Sequence, residues 1–292
     1  MTDVNHLITR AESLLDKLEA LLHAPPAFTE WTAIAWRWQH NKGHGYLEAI
    51  PHPHQIKLDD LHNIDLQKAE IVRNTAQFVQ GFTANNVLLT GARGTGKSSV
   101  VKALLCQFSK NGLRIVEVDK QDLIDLPQIT ALLRARAERF IVFCDDLSFE
   151  SGDAGYKALK VVLDGSVSVT SDNILVYATS NRRHLIPDFM AENLETQHLG
   201  GEVRPCDTVE EKTSLSDRFG MWLSFYSFDQ DEYLVVAAQW LRHYGIKQFG
   251  ELESQAAIKW SHTRGSRSGR AAYQFARDYA GRQQLGATKY NQ

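Results

Sequence analysis

One octapeptide constrains this chain more than any other part of it: Gly91-Ala92-Arg93-Gly94-Thr95-Gly96-Lys97-Ser98. It fills the pattern G-x-x-x-x-G-K-[ST] without a departure, and Ser99 extends it into the next run. Before it stands the apolar stretch "NNVLLT"; after it comes the helix-forming "SSVVKALL". Strand, glycine-rich turn and helix let successive backbone N–H groups wrap a phosphate, because a Cβ would obstruct the approach. Lys97 brings a compact positive charge to the β- and γ-phosphates, and Ser98 a hydroxyl for Mg²⁺. The helix that starts here adds its positive dipole end. The expected ligand is a nucleoside triphosphate, ATP or GTP.

A second apolar run, "RFIVFC", ends in Asp145 and Asp146. A carboxylate at the end of a neighbouring core strand holds Mg²⁺ in phosphate-cradling folds, and Asp145 stands in that position. The next residue is usually the acid that orients and deprotonates water. Here it is Asp146, one methylene shorter than the commoner Glu, and Glu150 is the alternative. A third run, "NILVYATSN", ends in Thr179, Ser180 and Asn181, polar groups suited to aligning water against a terminal phosphate.

The remaining pattern sets the architecture. Strands are expected at 86–90, 114–118, 140–143 and 173–178, alternating with helices that include 65–80. That rhythm predicts an α/β fold with a parallel sheet covered on both faces. After about residue 226 the strand signals stop, and helices are expected at 229–244 and 268–281. Residues 6–23 read as an amphipathic helix ended by Pro25 and Pro26. Residues 28–54, rich in Trp and His (Trp31, Trp36, Trp38, His40, His44, His52, His54), read as an irregular packed arm in preference to a base-stacking surface. Residues 188–213 read as a long exposed polar loop.

Composition excludes several classes. With 32 Lys and Arg against 35 Asp and Glu, the surface is not generally basic. The three cysteines, Cys106, Cys144 and Cys206, form no C-x-x-C pair, which argues against a disulfide framework or zinc and for a reducing, cytoplasmic setting. No apolar run approaches the roughly 20 residues of a membrane span, and the N-terminus lacks a signal-peptide pattern.

The order of these parts resembles the AAA+ ATPases over roughly residues 56–284. The strings "GARGTGKSS", "FCDDLSFE", "ATSNRRHLIP" and "SLSDRFG" are more narrowly similar to a bacterial AAA+ branch described as a domain of unknown function. Helicase-loader and initiator ATPases are more distant relatives. The run of elements divides the chain into an N-terminal arm (1–55), an α/β core (56–226) and a helical C-terminal part (227–292), and the resemblance makes the core a three-layer P-loop domain and the last part a small all-helical lid. It places Asn181 as the sensor 1 residue and Arg218, in "SLSDRFG", as the arginine finger for a neighbouring subunit. In "GSRSGRAAYQFARDYA" it places Arg270 as the sensor 2 arginine, with Arg267 as runner-up and Arg264 on the surface. It implies Mg²⁺ and ATP, hydrolysis at subunit interfaces, and a homo-oligomer with a hexamer as default. An unidentified protein or nucleic acid would be the partner, and no membrane. The alternative is a nucleotide-dependent switch or DNA-associated loader, with Arg182, Arg183, Arg264, Arg267 and Arg270 on phosphates and hydrolysis slow.

Overall fold

A computed structural model describes residues 12–13, 29–41, 43–149, 153–164, 172–181, 198–199, 202–203 and 217–289. Its centre is a seven-stranded sheet. In chain order the elements are β1 (Ala35–Asn41), β2 (His44–Ala49), α1 (Asp65–Val79), β3 (Val87–Gly91), α2 (Lys97–Phe108) and β4 (Leu113–Glu117). There follow α3 (Leu126–Arg134), β5 (Arg139–Cys144), α4 (Ala154–Asp164), β6 (Ile174–Ser180), β7 (His198–Leu199), β8 (Glu202–Val203) and β9 (Met221–Phe225). Three helices complete the chain: α5 (Gln230–His243), α6 (Glu251–Arg264) and α7 (Gly269–Lys289).

The sheet order is β2-β1-β4-β5-β6-β3-β9, parallel throughout except for the β1–β2 hairpin. The central strands are apolar along their length because both faces are covered: β5 and β6 bury nearly every residue. One core lies on each face. Leu88, Val116, Val142, Val176 and Leu159 belong to the first, and Leu89, Val101, Leu104, Ile141 and Tyr177 to the second.

The irregular arm expected at 28–54 is corrected for residues 35–49, which are paired strands. Trp36 and Trp38 alternate with Arg37 and Gln39, and both tryptophans are fully buried on one face of the sheet. They are core, not a stacking surface. β9 was also absent from the expected strands; it adds a parallel edge beside β3. Of the expected helix at 6–23, only residues 12 and 13 are described, and both are helical; the rest lies outside the described residues. Most of 188–213 lies outside them too. Its described residues form the short antiparallel pair β7–β8.

Beyond β9 the three helices enclose a core of their own, built from Phe228, Tyr233, Val236, Leu241, Ala257, Ala272 and Phe275. α5 starts on a reciprocal cap. The Glu232 N–H donates to Asp229 Oδ1 (2.8 Å) and the Asp229 N–H to Glu232 Oε2 (2.9 Å). α6 was not foreseen, since it fully buries only Ala257 and Ser261 and so lacks a strong apolar stripe. No helix among the described residues is long and apolar enough to cross a membrane.

Candidate phosphate-binding site

The parallel register brings the C-terminal ends of β3, β5 and β6 side by side, and the candidate residues stand there. β3 ends at Gly91; Gly94 and Gly96 follow with φ of 78° and 100°, conformations open to glycine at little steric cost. Gly91 has a further reason to lack a side chain. A Cβ there would lie 1.8 Å from the carbonyl oxygen of Phe225, the end of β9. The Ala92 N–H donates to that same oxygen (3.2 Å). The edge strand therefore braces the first turn of the loop.

Lys97 opens α2 and is buried, with its ammonium folded back into the loop. It donates to the carbonyls of Gly91 (2.8 Å) and Ala92 (2.7 Å) and to Asn181 Oδ1 (3.0 Å). Desolvation pushes its pKa below the ordinary lysine value. Asp145 and Asp146 oppose that shift, while the nearby Arg270 and Arg93 add to it. The loop thus holds a desolvated cation beside two more cations, an environment that an anion would relieve. Thr95 donates to the Ala92 carbonyl (2.9 Å) and tightens the turn.

The carboxylates form the opposite wall. Ser98 Oγ donates to Asp145 Oδ1 (2.6 Å), so the hydroxyl and carboxylate expected around Mg²⁺ already meet. Asp146 adopts φ 55°, uncommon for a residue with a Cβ. Its carboxylate accepts from Asn181 Nδ2 (2.5 Å). A cavity of 330 Å³ opens between Arg93, Asp146, Leu147, Ser148 and Asn181, large enough for a phosphate and water. The donor set fits a hard cation with oxygen ligands.

The helical unit closes on this site. The Arg270 N–H donates to the Gly94 carbonyl (3.2 Å), and a Cβ on Gly94 would meet Ser268 Oγ at 2.8 Å. Arg270 stands exposed at the start of α7, directly over the loop. Arg267 accepts from the Phe228 N–H through its carbonyl (3.3 Å) at the junction, and Arg264 lies over the Trp260 ring at 5.1 Å.

Arg218 is not brought to this site. β9 runs parallel to β3 with Met221 opposite Val87 and Phe225 opposite Gly91, so Arg218 lies before the far end of the strand. About 13 Å of extended chain separates the two ends of β9. There Arg218 is ion-paired with Asp164, the last residue of α4. Glu150, Arg182 and Arg183 lie outside the described residues. Thr179, singled out with Ser180 and Asn181 as a polar strand end, bonds both acidic positions. Two contributors were not selected from the sequence, Phe225 through its carbonyl and Ser268 against Gly94. Neither left a signal in residue type, since one acts through a backbone carbonyl and the other through proximity.

The family described as a protein of unknown function (DUF815) matches residues 31–283. The chain belongs to this family. No curated protein matches it. Among solved structures, the Holliday junction branch migration motor RuvB of Thermotoga maritima is 17% identical with a TM-score of 0.49, over 80% of this chain and 66% of that one. Two single-substitution variants of the same RuvB are each 16% identical, over 80% of this chain, with TM-scores of 0.52 and 0.53 and 66% and 67% of their own lengths covered. The chain thus spans just under two thirds of the first motor's length. At these identities the likeness shows the fold: the DUF815 chain has the AAA+ P-loop architecture, an α/β core followed by a helical unit.

Proposed function

We propose that this DUF815 protein binds Mg·ATP at Gly91–Ser99 and hydrolyses it, using the movement of the helical lid over the core to act on a protein or nucleic-acid partner. The observation that carries the reading is the continuous chain from Lys97 through Asn181 to Asp146, set beside the Ser98–Asp145 pair. Such a chain joins the phosphate side of the site to an acid next to a cavity.

In this reading Gly91, Ala92, Arg93, Gly94, Thr95, Gly96 and Ser99 frame the phosphates, and Lys97 exchanges its carbonyl partners for phosphate oxygens. Ser98 and Asp145 hold Mg²⁺, which neutralises charge on the phosphoryl oxygens when bound. Asp146 takes the proton of the attacking water, with Asn181 fixing its carboxylate. Arg270 reaches the phosphates from the lid. Arg218, remote from its own cradle, serves the site of a neighbouring copy in a homo-oligomer. A guanidinium there stabilises charge spreading over the transferred phosphoryl group. The proposed division is 1–55, 56–226 and 227–292, with β1 and β2 of the first segment joining the sheet and core of the second.

The test pairs binding with turnover. Asp146→Asn is expected to bind ATP as tightly as the wild type and to lose turnover by at least about a hundredfold, the scale of a positioned general base. Undiminished turnover would move that role to Glu150, and a wild-type protein that binds no Mg·ATP would end the proposal. The switch reading ranks second because Arg264, one of its proposed phosphate contacts, is stacked on Trp260.

A further inference from the structure

We infer that Thr179 is the positioning residue of both acids, its one hydroxyl holding the Asp145 carboxylate and the backbone turn that aims Asp146. The inference rests on the ATPase reading above and adds to it a residue with a separable effect.

Register explains how Thr179 comes to this place. Cys144 on β5 pairs with Ala178 on β6, so the next step of the parallel ladder sets Asp145 beside Thr179. Thr179 is 2% exposed, which leaves its hydroxyl little access to water. The single hydroxyl hydrogen of Thr179 goes to Asp145 Oδ1 (2.5 Å), and Thr179 Oγ1 itself accepts the Asp146 N–H (2.9 Å). The Thr179 carbonyl takes the next amide, that of Leu147 (2.7 Å). Two consecutive peptide units are therefore tied to one residue, and the first belongs to Asp146 at φ 55°. A non-glycine residue keeps such a φ where its surroundings over-determine it.

The two hydroxyls on Asp145 Oδ1 are not equivalent. Ser98 is the metal's ligand in the ATPase reading, so its bond to Asp145 serves the resting site. Thr179 sits behind the carboxylate in the sheet and has no such second task. It keeps Asp145 oriented once Ser98 turns to the ion, as partners behind metal ligands commonly do. Losing the hydroxyl would loosen the Mg²⁺ side and the water side together while leaving the glycine loop intact.

The experiment compares wild type, Thr179→Val and Thr179→Ser in the full chain. It measures a fluorescent ATP analogue binding in EDTA, and ATP turnover across a Mg²⁺ titration. Thr179→Val is expected to bind the analogue without metal as the wild type does. It should need about tenfold more Mg²⁺ for half-maximal turnover and lose about tenfold or more at saturation. Thr179→Ser, which retains the hydroxyl, should restore both. A valine variant with wild-type Mg²⁺ dependence, or a serine variant as impaired as valine, overturns the inference while an active wild type leaves the ATPase reading standing. A wild type without Mg·ATP turnover ends both. Should the valine variant not fold, Thr179→Ala carries the same expectations.

Discussion

Asn181 and Asp146 share a hydrogen bond of 2.5 Å, the amide Nδ2 donating to the carboxylate Oδ1, while Asn181 Oδ1 accepts from Lys97. One planar amide thereby links the buried lysine to the exposed acid. In the proposed ATPase, phosphate oxygens would draw Lys97 forward, and Asn181 would then lose a donor. Asn181→Ala removes both contacts but no part of the glycine loop. Expected is near-normal nucleotide affinity with turnover lower by about 10²–10³, the range for one lost electrostatic stabiliser. Equilibrium binding and single-turnover hydrolysis check it, and equal losses in both would give Asn181 a ground-state role instead.

Lys97 gives the site a pH dependence of known sign. Burial lowers its pKa, so on raising the pH the free protein loses this proton before an ordinary lysine would. Phosphate binds the charged form, and by linkage a bound nucleotide raises the lysine's pKa again. Affinity should therefore be full on the acid side of the lowered pKa and fall as pH rises through it, with proton uptake on binding in that window. The same shift means that the charged form costs folding stability below the lowered pKa, a cost relieved as pH rises toward the unfolded value. Calorimetry in buffers of different ionisation enthalpy would show the uptake; pH-independent affinity up to the ordinary lysine range would contradict it. Lys97→Ala should abolish the nucleotide-induced rise in melting temperature.

The legible parts of this molecule were those in which a local pattern and the fold demand the same residue. Gly91–Ser98 could be read because the chemistry needs fixed residue types at fixed spacing, and β5 and β6 because both faces are buried, giving unbroken apolar runs. β1 escaped notice for a physical reason. Its period of two is carried by Trp36 and Trp38, set in a stretch whose histidines and prolines suggested irregular chain. β9 is an edge strand with Trp222 and Ser224 exposed, so its signal is weak. The partners of the loop were illegible in another sense. Phe225 acts through a carbonyl and Ser268 through proximity to Gly94, and neither backbone acceptor nor contact leaves a mark on residue type.

Arg218 and Asp164 pair at the end of the sheet away from the cradle, so in the proposed ATPase the arginine would act on the site of a neighbouring copy and not on its own. Arg218→Ala is expected to bind ATP normally and to lose turnover by about a thousandfold or more, the usual worth of such a guanidinium. Mixing it with Lys97→Ala protein joins an intact cradle to an intact arginine at some interfaces, and part of the activity should return. Mixed oligomers formed without recovered activity would contradict action in trans. Asp164→Asn should lower turnover less than Arg218→Ala, since it weakens one ion pair of the arginine without removing the guanidinium.

Gly94 is where the lid rests on the loop, and it tests whether that contact matters. Its φ of 78° already disfavours any side chain, and a Cβ would meet Ser268 Oγ at 2.8 Å and Arg270 Cβ at 3.2 Å. Gly94→Ala should cost about 1–2 kcal/mol from the left-handed backbone alone. It should also push the start of α7 away, lengthening the bond from the Arg270 N–H to the Gly94 carbonyl. If Arg270 acts from the lid, turnover then falls by more than the stability loss explains. Adding Ser268→Gly removes the closest clash but not the backbone strain, so it should recover turnover while leaving the melting temperature low. Recovery of neither would show that backbone strain, not lid displacement, governs the effect.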